Sequence, residues 1–182
     1  KAMVKKHLRG QKLIDALSDP AFYDSGAVEN PVPANNHIEP FLEANVEGLW
    51  TYYCCGQRVN VSNRLISMPS WRNRSIGMQL YKYDIVGFLQ WGYNFWYSQH
   101  SKHEINPFET TDALEAFPSG DAFVVYPGEG GQPLVSLRYK VFYDAFQDMC
   151  ALKLLESKIG YDETLKLIEN RTGEPLTFVN YE

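Results

Sequence analysis

Gln90, Trp91, Tyr93, Asn94 and Trp96 crowd together just after a short apolar run, Gly87-Phe88-Leu89, and they combine flat aromatic faces with amide donors and acceptors. An apolar run bounded by glycine reads as a buried strand. The residues after it cannot all enter a core, because the amides of Gln90 and Asn94 and the indole N–H groups of Trp91 and Trp96 need hydrogen-bond partners when buried. Such a strand end suits the wall of a pocket. The matching ligand has apolar C–H faces and many hydroxyls, which is the character of a sugar. The same aromatics would also fill a large core, and this stretch alone does not choose between the two readings.

Other residues with reactive side chains lack the spacing their chemistry requires. Cys54 and Cys55 are neighbours and Cys150 stands far from both, so the three cannot all pair. Free thiols in a reducing, cytoplasmic compartment are the expectation. Adjacent cysteines also miss the ligand spacing of a tetrahedral zinc site. His100, His103 and Glu104 have the residue types of a metal centre, but not the helical His-Glu-x-x-His order that sets two imidazoles on one face. Glu129-Gly130-Gly131-Gln132-Pro133 lacks the Lys-Ser/Thr of a phosphate-binding loop. No metal and no other cofactor is therefore expected. Arg58, Arg64, Arg72 and Arg74 gather around Trp71. A solvated helix face and a few buried pairs explain them more cheaply than RNA does, and the formal net charge of −5 points away from a nucleic-acid partner.

The elements that would position these residues follow from periodicity and punctuation. With 182 residues, 45% hydrophobic and 21% charged, the chain is expected to be a single segment of one soluble domain. There is no run long enough to cross a bilayer and no signal-peptide pattern. Because the first residue is Lys1 rather than Met, the sequence is expected to be a processed or excised piece. Lys1 to Arg9 reads as the end of an amphipathic helix closed by Gly10. Gln11 to Leu17 reads as a short strand in which Asp15 is either a satisfied buried carboxylate or a pocket residue, the former being favoured. Ser18 to Glu39, with its prolines and asparagines, reads as a long loop carrying a surface His37, and Ile38 to Ala44 as a short helix. Gly48 to Gly56 is the second strand. Pro69 to Tyr83 reads as one helix with Ile76, Leu80 and Tyr83 on a face, and Asp121 to Gly128 as the fourth strand. Ser136 is an N-cap for a long helix to Ser157, striped by Phe142, Ala145, Phe146, Met149, Leu152 and Leu155. Gly160 ends that helix, and Asp162 caps a last one running to about Arg171, with Gly173 after it.

Strands separated by long, partly helical connections imply parallel pairing, with polar residues gathered at the C-terminal strand ends. Four strands cannot close a barrel of eight. Their apolar faces would stay partly uncovered unless more chain or another copy supplied the rest.

Taken as an ordered set, Gly48-Leu49-Trp50-Thr51-Tyr52-Tyr53-Cys54, Asn63-Arg64, Gly87 to Asn94, Gly120 to Gly128 and Ser136-Leu137-Arg138 resemble the C-terminal part of the glycoside hydrolase family 123 catalytic domain and its uncharacterised bacterial relatives. The resemblance covers nearly the whole chain. It implies an α/β fold, the second half of a (β/α)8 barrel of about four strands, and hydrolysis of terminal β-linked N-acetylgalactosamine or a related sugar. It also implies a substrate-assisted mechanism in which the sugar's own acetamido oxygen is the nucleophile. In the family an adjacent Asp-Glu pair at a strand end serves that mechanism: Asp orients the acetamide and Glu protonates the leaving oxygen. That pair is expected upstream of Lys1, since the only such dipeptide here, Asp162-Glu163, opens the last helix.

The resulting expectation is a pocket whose sugar-binding residues are Trp50, Tyr52, Trp91, Tyr93 and Asn94, supported by Asn63, Arg64, Asp121 and Tyr126. The expected partners are a carbohydrate substrate and the remaining half of the barrel or another copy, with no nucleic acid and no membrane. A noncatalytic carbohydrate-binding or scaffold domain is the alternative. Arg64, a rigid fork of donors, is expected to pair with a carboxylate near the pocket rather than with a neutral sugar.

Overall fold

The computed structural model describes residues 2–8, 10–169 and 175–179. Parallel segments run side by side through it. Strand β1 (Trp50–Tyr52) pairs in parallel with β2 (Gly87–Leu89), Trp50 opposite Gly87 and Tyr52 opposite Leu89. On the other side of β1, single parallel bridges join Tyr52 to Ala34 and Pro31 to Asp15. Four stretches of chain, in sequence order, thus each lie parallel to the next, joined by crossovers long enough for parallel connection. Helices α1 (Ala2–His7), α2 (Ala21–Asp24), α3 (Glu39–Glu43), α4 (Ser70–Arg74), α5 (Ile76–Lys82), α6 (Leu137–Ile159) and α7 (Tyr161–Glu169) complete an α/β chain.

Strand alternation sorts the side chains into two faces. Thr51, Phe88 and, just past β1, Tyr53 face α6, where Tyr53 and Phe88 meet edge-on at 4.8 Å and both pack on Phe142. This face closes the core of Ile38, Phe41, Leu49, Ile76, Leu80, Ile85 and Ala145. Trp50 and Tyr52 occupy the other face and stay half-buried. Helix α6 forms as its stripe dictates: Ser136 Oγ accepts from the Tyr139 N–H at 3.1 Å, Phe142, Phe146 and Met149 pack on the core, and Gly160, at φ 86°, ends it. Gly77 of α5 is there for close approach, since a Cβ would lie 1.9 Å from the Ala145 carbonyl oxygen.

Several elements depart from the sequence reading. The fourth strand is not parallel: β3 (Val125–Pro127) pairs antiparallel with β4 (Pro133–Val135). The glycine-rich stretch between them explains it. Gly130 and Gly131 adopt φ of 61° and 78°, and the chain folds back within five residues, too few for a parallel crossover. The helix from Pro69 to Tyr83 divides at Ser75 into α4 and α5, and the Ser75 Oγ bonds the Arg72 carbonyl at 3.0 Å and meets the Ser62 hydroxyl. The strand Gln11–Leu17 is reduced to the bridge at Asp15, whose side chain is exposed rather than buried, in the wall of a cleft with Val4, Leu13 and Val28. The loop Ser18–Glu39 contains α2 and a turn of 3-10 helix at Asn35–His37. Met3, Val4 and Leu8 of the predicted amphipathic helix are exposed. Lys1, Arg9, Arg171 and Gly173 lie outside the described residues. Among those described, no helix is long and apolar enough to cross a membrane.

Candidate functional site

The C-terminal end of β1 runs into a turn that one asparagine pins down. The Gln57 N–H bonds the Cys54 carbonyl at 3.2 Å, and the Gln57 side-chain oxygen accepts from the Cys54 N–H at 2.9 Å. Asn63 donates to both the Cys54 and Gln57 carbonyls, at 2.9 and 2.6 Å, while its own oxygen accepts from the Arg64 N–H at 2.7 Å and from Arg64 Nη1 at 3.3 Å. Arg64 is thereby aimed inward. Its Nη2 donates to the Asp121 carbonyl at 2.6 Å, its Nη1 stands 3.5 Å from Asp121 Oδ1, and its guanidinium lies 5.1 Å over the Tyr53 ring. The buried Tyr53 hydroxyl donates to Asn73 at 2.9 Å, and burial pushes its pKa far above that of a free phenol.

The Arg64–Asp121 pair is costly. Both side chains are almost wholly buried, at 1% and 0% exposure. Burial pulls the arginine down from its ordinary value and pushes the Asp121 carboxyl up; for Asp121 that desolvation outweighs the attraction of Arg64 and the smaller effects of Trp91, Arg58 and Arg138. Among the described residues neither carboxylate oxygen finds a hydrogen-bond donor, and Arg64 Nε finds no acceptor. An unsatisfied buried polar atom costs about 1–3 kcal/mol, and more when charged. A pair like this holds its surroundings in one arrangement rather than adding much net stability.

Arg138, for which the sequence reading assigned no role, completes the lattice. It donates through Nη1 to the Gly120 and Arg64 carbonyls, at 2.6 and 3.2 Å, and through Nη2 to the Phe123 carbonyl at 2.9 Å. A signal was available in the sequence. A cation in the first turn of a helix opposes the macrodipole, so one placed there is held for another purpose. Beside these groups opens a cavity of about 370 Å³, lined among others by Asn63, Arg64, Tyr126, Ser136, Leu137 and Arg138. The Tyr126 hydroxyl interacts with Arg138, and its ring meets Phe123 edge-on at 5.1 Å.

The five residues expected to form one sugar pocket have separate surroundings. Trp50 stands at the N-terminal end of β1, its indole over Gly87, where a Cβ would come within 2.1 Å. Tyr52 shares that face. Trp91 follows the opposite end of the strand pair, because the chain leaves β2 at Leu89, and it is 38% exposed, edge-on to Phe117 at 5.4 Å and tilted to Phe95 at 6.1 Å. Tyr93 turns toward α6 and meets Tyr139 edge-on at 6.2 Å. Asn94 pairs its backbone with Phe123 and exposes its side chain. None of the five lines the cavity beside Arg64. Of the supporting residues, Arg64 contacts both Asn63 and Asp121, and Tyr126 lines the cavity beside them.

Among the described residues no three His, Cys, Asp or Glu side chains come together as metal ligands. Asp162 and Glu163 lie in the first turn of α7, where Glu163 pairs with Lys166 on the surface. The cysteines are free thiols; burial raises the pKa of the half-buried Cys55 above its ordinary value, and neighbouring Cys54 and Asp121 raise it further.

A comparison with curated proteins returned no match. The family model of the glycoside hydrolase 123 catalytic domain matches residues 1–155, which include β1, β2, the Arg64–Asp121 pair, Arg138 and most of α6. With the greater part of its length matched, the chain belongs to the glycoside hydrolase 123 family.

Proposed function

We propose that this chain supplies pocket walls to a glycoside hydrolase that removes terminal β-linked N-acetylgalactosamine or a related sugar by the substrate-assisted, retaining route. In this reading the chain is the C-terminal half of a (β/α)8 barrel. The carboxylates that orient the acetamide and protonate the leaving oxygen lie upstream of Lys1. The observation that carries the reading is the family membership, which is that of glycoside hydrolases. The exposed aromatic and amide group after β2, Trp91 with Tyr93 and Asn94, supports a sugar as the ligand. Asn63, Arg64 and Asp121 hold the strand ends in place behind it.

The position of Asp162-Glu163 favours a second reading for the isolated chain. That dipeptide sits at a helix start with Glu163 tied to Lys166, so it is not at a strand end. The chain on its own would then bind sugar without cleaving it. One experiment tests both. The chain, the longer reading frame that contains it, and that frame with its upstream Asp-Glu replaced by Asn-Gln are assayed on an aryl β-N-acetylgalactosaminide. Loss of the general acid forfeits on the order of a hundredfold to ten-thousandfold, and loss of the acetamide-orienting residue forfeits the intramolecular advantage as well. Turnover by the longer frame alone is the expected result. Equal turnover by this chain would place the catalytic carboxylates within it, with Asp15 and Asp121 first in line, and no turnover by any of the three would leave the binding-domain reading.

A further inference from the structure

Asp121 carries a desolvation cost that its neighbours offset only in part. Its carboxylate is fully buried, neither oxygen accepts a hydrogen bond from the described residues, and Arg64 Nη1 stands at 3.5 Å. Buried polar atoms left in that condition call for a functional account. The charged and titratable groups that act on it come from each neighbouring element: Cys55 and Arg58 from the turn after β1, Arg64 from the loop that follows, and Arg138 from α6. Trp91, from the stretch after β2, also acts on it and is the neutral donor of the set. The one polar atom of Trp91 is its indole N–H, which draws on the carboxylate without reaching hydrogen-bond geometry. The backbone keeps the two close. A Cβ on Gly92 would come within 2.4 Å of the Asp121 carbonyl oxygen, so glycine alone lets these chain segments meet at this spacing. Trp91 is also partly in solvent, with edge and tilted ring contacts rather than a stacked one.

We propose that Asp121 is a positioning residue for Trp91: when a sugar ring packs on the exposed indole, the indole N–H closes onto an orphaned Asp121 oxygen, and the carboxylate fixes the plane on which the sugar stacks. The ligand in this inference rests on the glycosidase reading, whereas the link between Asp121 and Trp91 does not. Ionised carboxylates accept more strongly than neutral ones, so the link tightens as pH rises and the buried carboxyl ionises. The remaining groups around Asp121 that change charge over this range are few, since the arginines stay protonated and Cys55 is held above its ordinary value.

The test uses the chain labelled with 5-fluorotryptophan, with the Trp91 fluorine signal assigned by its loss in Trp91→Phe. Methyl N-acetyl-β-galactosaminide is the probe. The expected result is a Trp91 signal that shifts with pH in one step in the wild type and stays still in Asp121→Asn. Sugar binding should weaken about three- to tenfold in either single variant, the worth of one hydrogen bond, and no further in the double variant. A Trp91 signal that keeps its pH step in Asp121→Asn overturns the proposal. So does an Asp121→Asn effect of equal size in the Trp91→Phe background, which would mean direct contact between Asp121 and sugar. Should Asp121→Asn fail to fold, the carboxyl carbon of Asp121 is titrated in wild type and in Trp91→Phe, an exposed change. A midpoint that rises in the variant supports the link, and an unmoved one overturns it. A pH-linked Trp91 signal without any sugar binding would support the link and sink the glycosidase reading of its ligand.

Discussion

Arg64 and Asp121 show how much two charges can decide when water is removed from both. Replacing Arg64 by Ala leaves Asp121 buried without its counter-charge, and breaking a buried pair in this way costs about 3–5 kcal/mol. We expect Arg64→Ala to lower the unfolding free energy, measured by urea titration, by that amount and to change sugar affinity much less; normal unfolding with abolished binding would reassign Arg64 to the ligand. The pH dependence has a definite sign. Burial raises the Asp121 carboxyl above its unfolded value of 3.8, so between the two values the folded state binds more protons. Its stabilising contribution is therefore complete below the unfolded value and is lost as pH rises through the folded one. Asp121→Asn does not titrate, so its stability relative to the wild type should rise from about pH 4 upward and then level. Urea titrations across that range check this, and a flat difference contradicts it. The pair was legible in the sequence because a rigid fork of donors needs a carboxylate. The separation of Trp50 from Trp91 was not, because motif position does not reveal which end of a strand a residue occupies.

At the scale of elements, sequence pattern served best where one periodicity ran for many turns. Helix α6 appears where Phe142, Ala145, Phe146 and Met149 repeat, with its predicted cap at Ser136. Removing that cap in Ser136→Ala should cost about 1 kcal/mol by urea unfolding. Short elements were poorly legible. The hairpin of β3 and β4 hides in a stretch that reads as one strand and a loop, and the division at Ser75 depends on a hydroxyl that reaches the Arg72 carbonyl and Ser62. Gly77 makes a sharper test of packing. In an isolated helix alanine would gain about 1 kcal/mol over glycine. Here the added methyl would lie 1.9 Å from the Ala145 carbonyl oxygen, on backbone that cannot step aside without separating α5 from α6. Overpacking of this kind costs typically 1–3 kcal/mol and occasionally more. We expect Gly77→Ala to be destabilised by about 2 kcal/mol or more in thermal or urea unfolding. A stabilised variant would mean that α5 and α6 are not held at this distance.

For the whole molecule the question is where the parallel array ends. Its segments at Asp15, Pro31 to Ala34, β1 and β2 lie in sequence order, with α6 covering one face and Trp50 and Tyr52 half-buried on the other. Asp15 spends its backbone on its inner neighbour, donating to the Asn30 carbonyl at 3.1 Å and accepting from the Val32 N–H at 2.8 Å. Alternation then turns the backbone groups of Ile14 and Ala16 outward, and among the described residues neither makes a hydrogen bond. An exposed edge of this kind is a template for a further strand. If the chain is half of a barrel, that strand comes from upstream in the longer polypeptide. Ile14 and Ala16 would then pair while the face carrying Trp50 and Tyr52 closes over. Amide hydrogen exchange reads this directly. In the chain alone Ile14 and Ala16 should exchange at close to the rate of an open segment, whereas in the longer polypeptide they should be slowed by orders of magnitude, as ladder amides are. The Asp15 amide serves as an internal control, because it is already bonded in the chain alone. If Ile14 and Ala16 exchange as fast in the longer polypeptide, the array ends at this segment and the half-barrel reading falls.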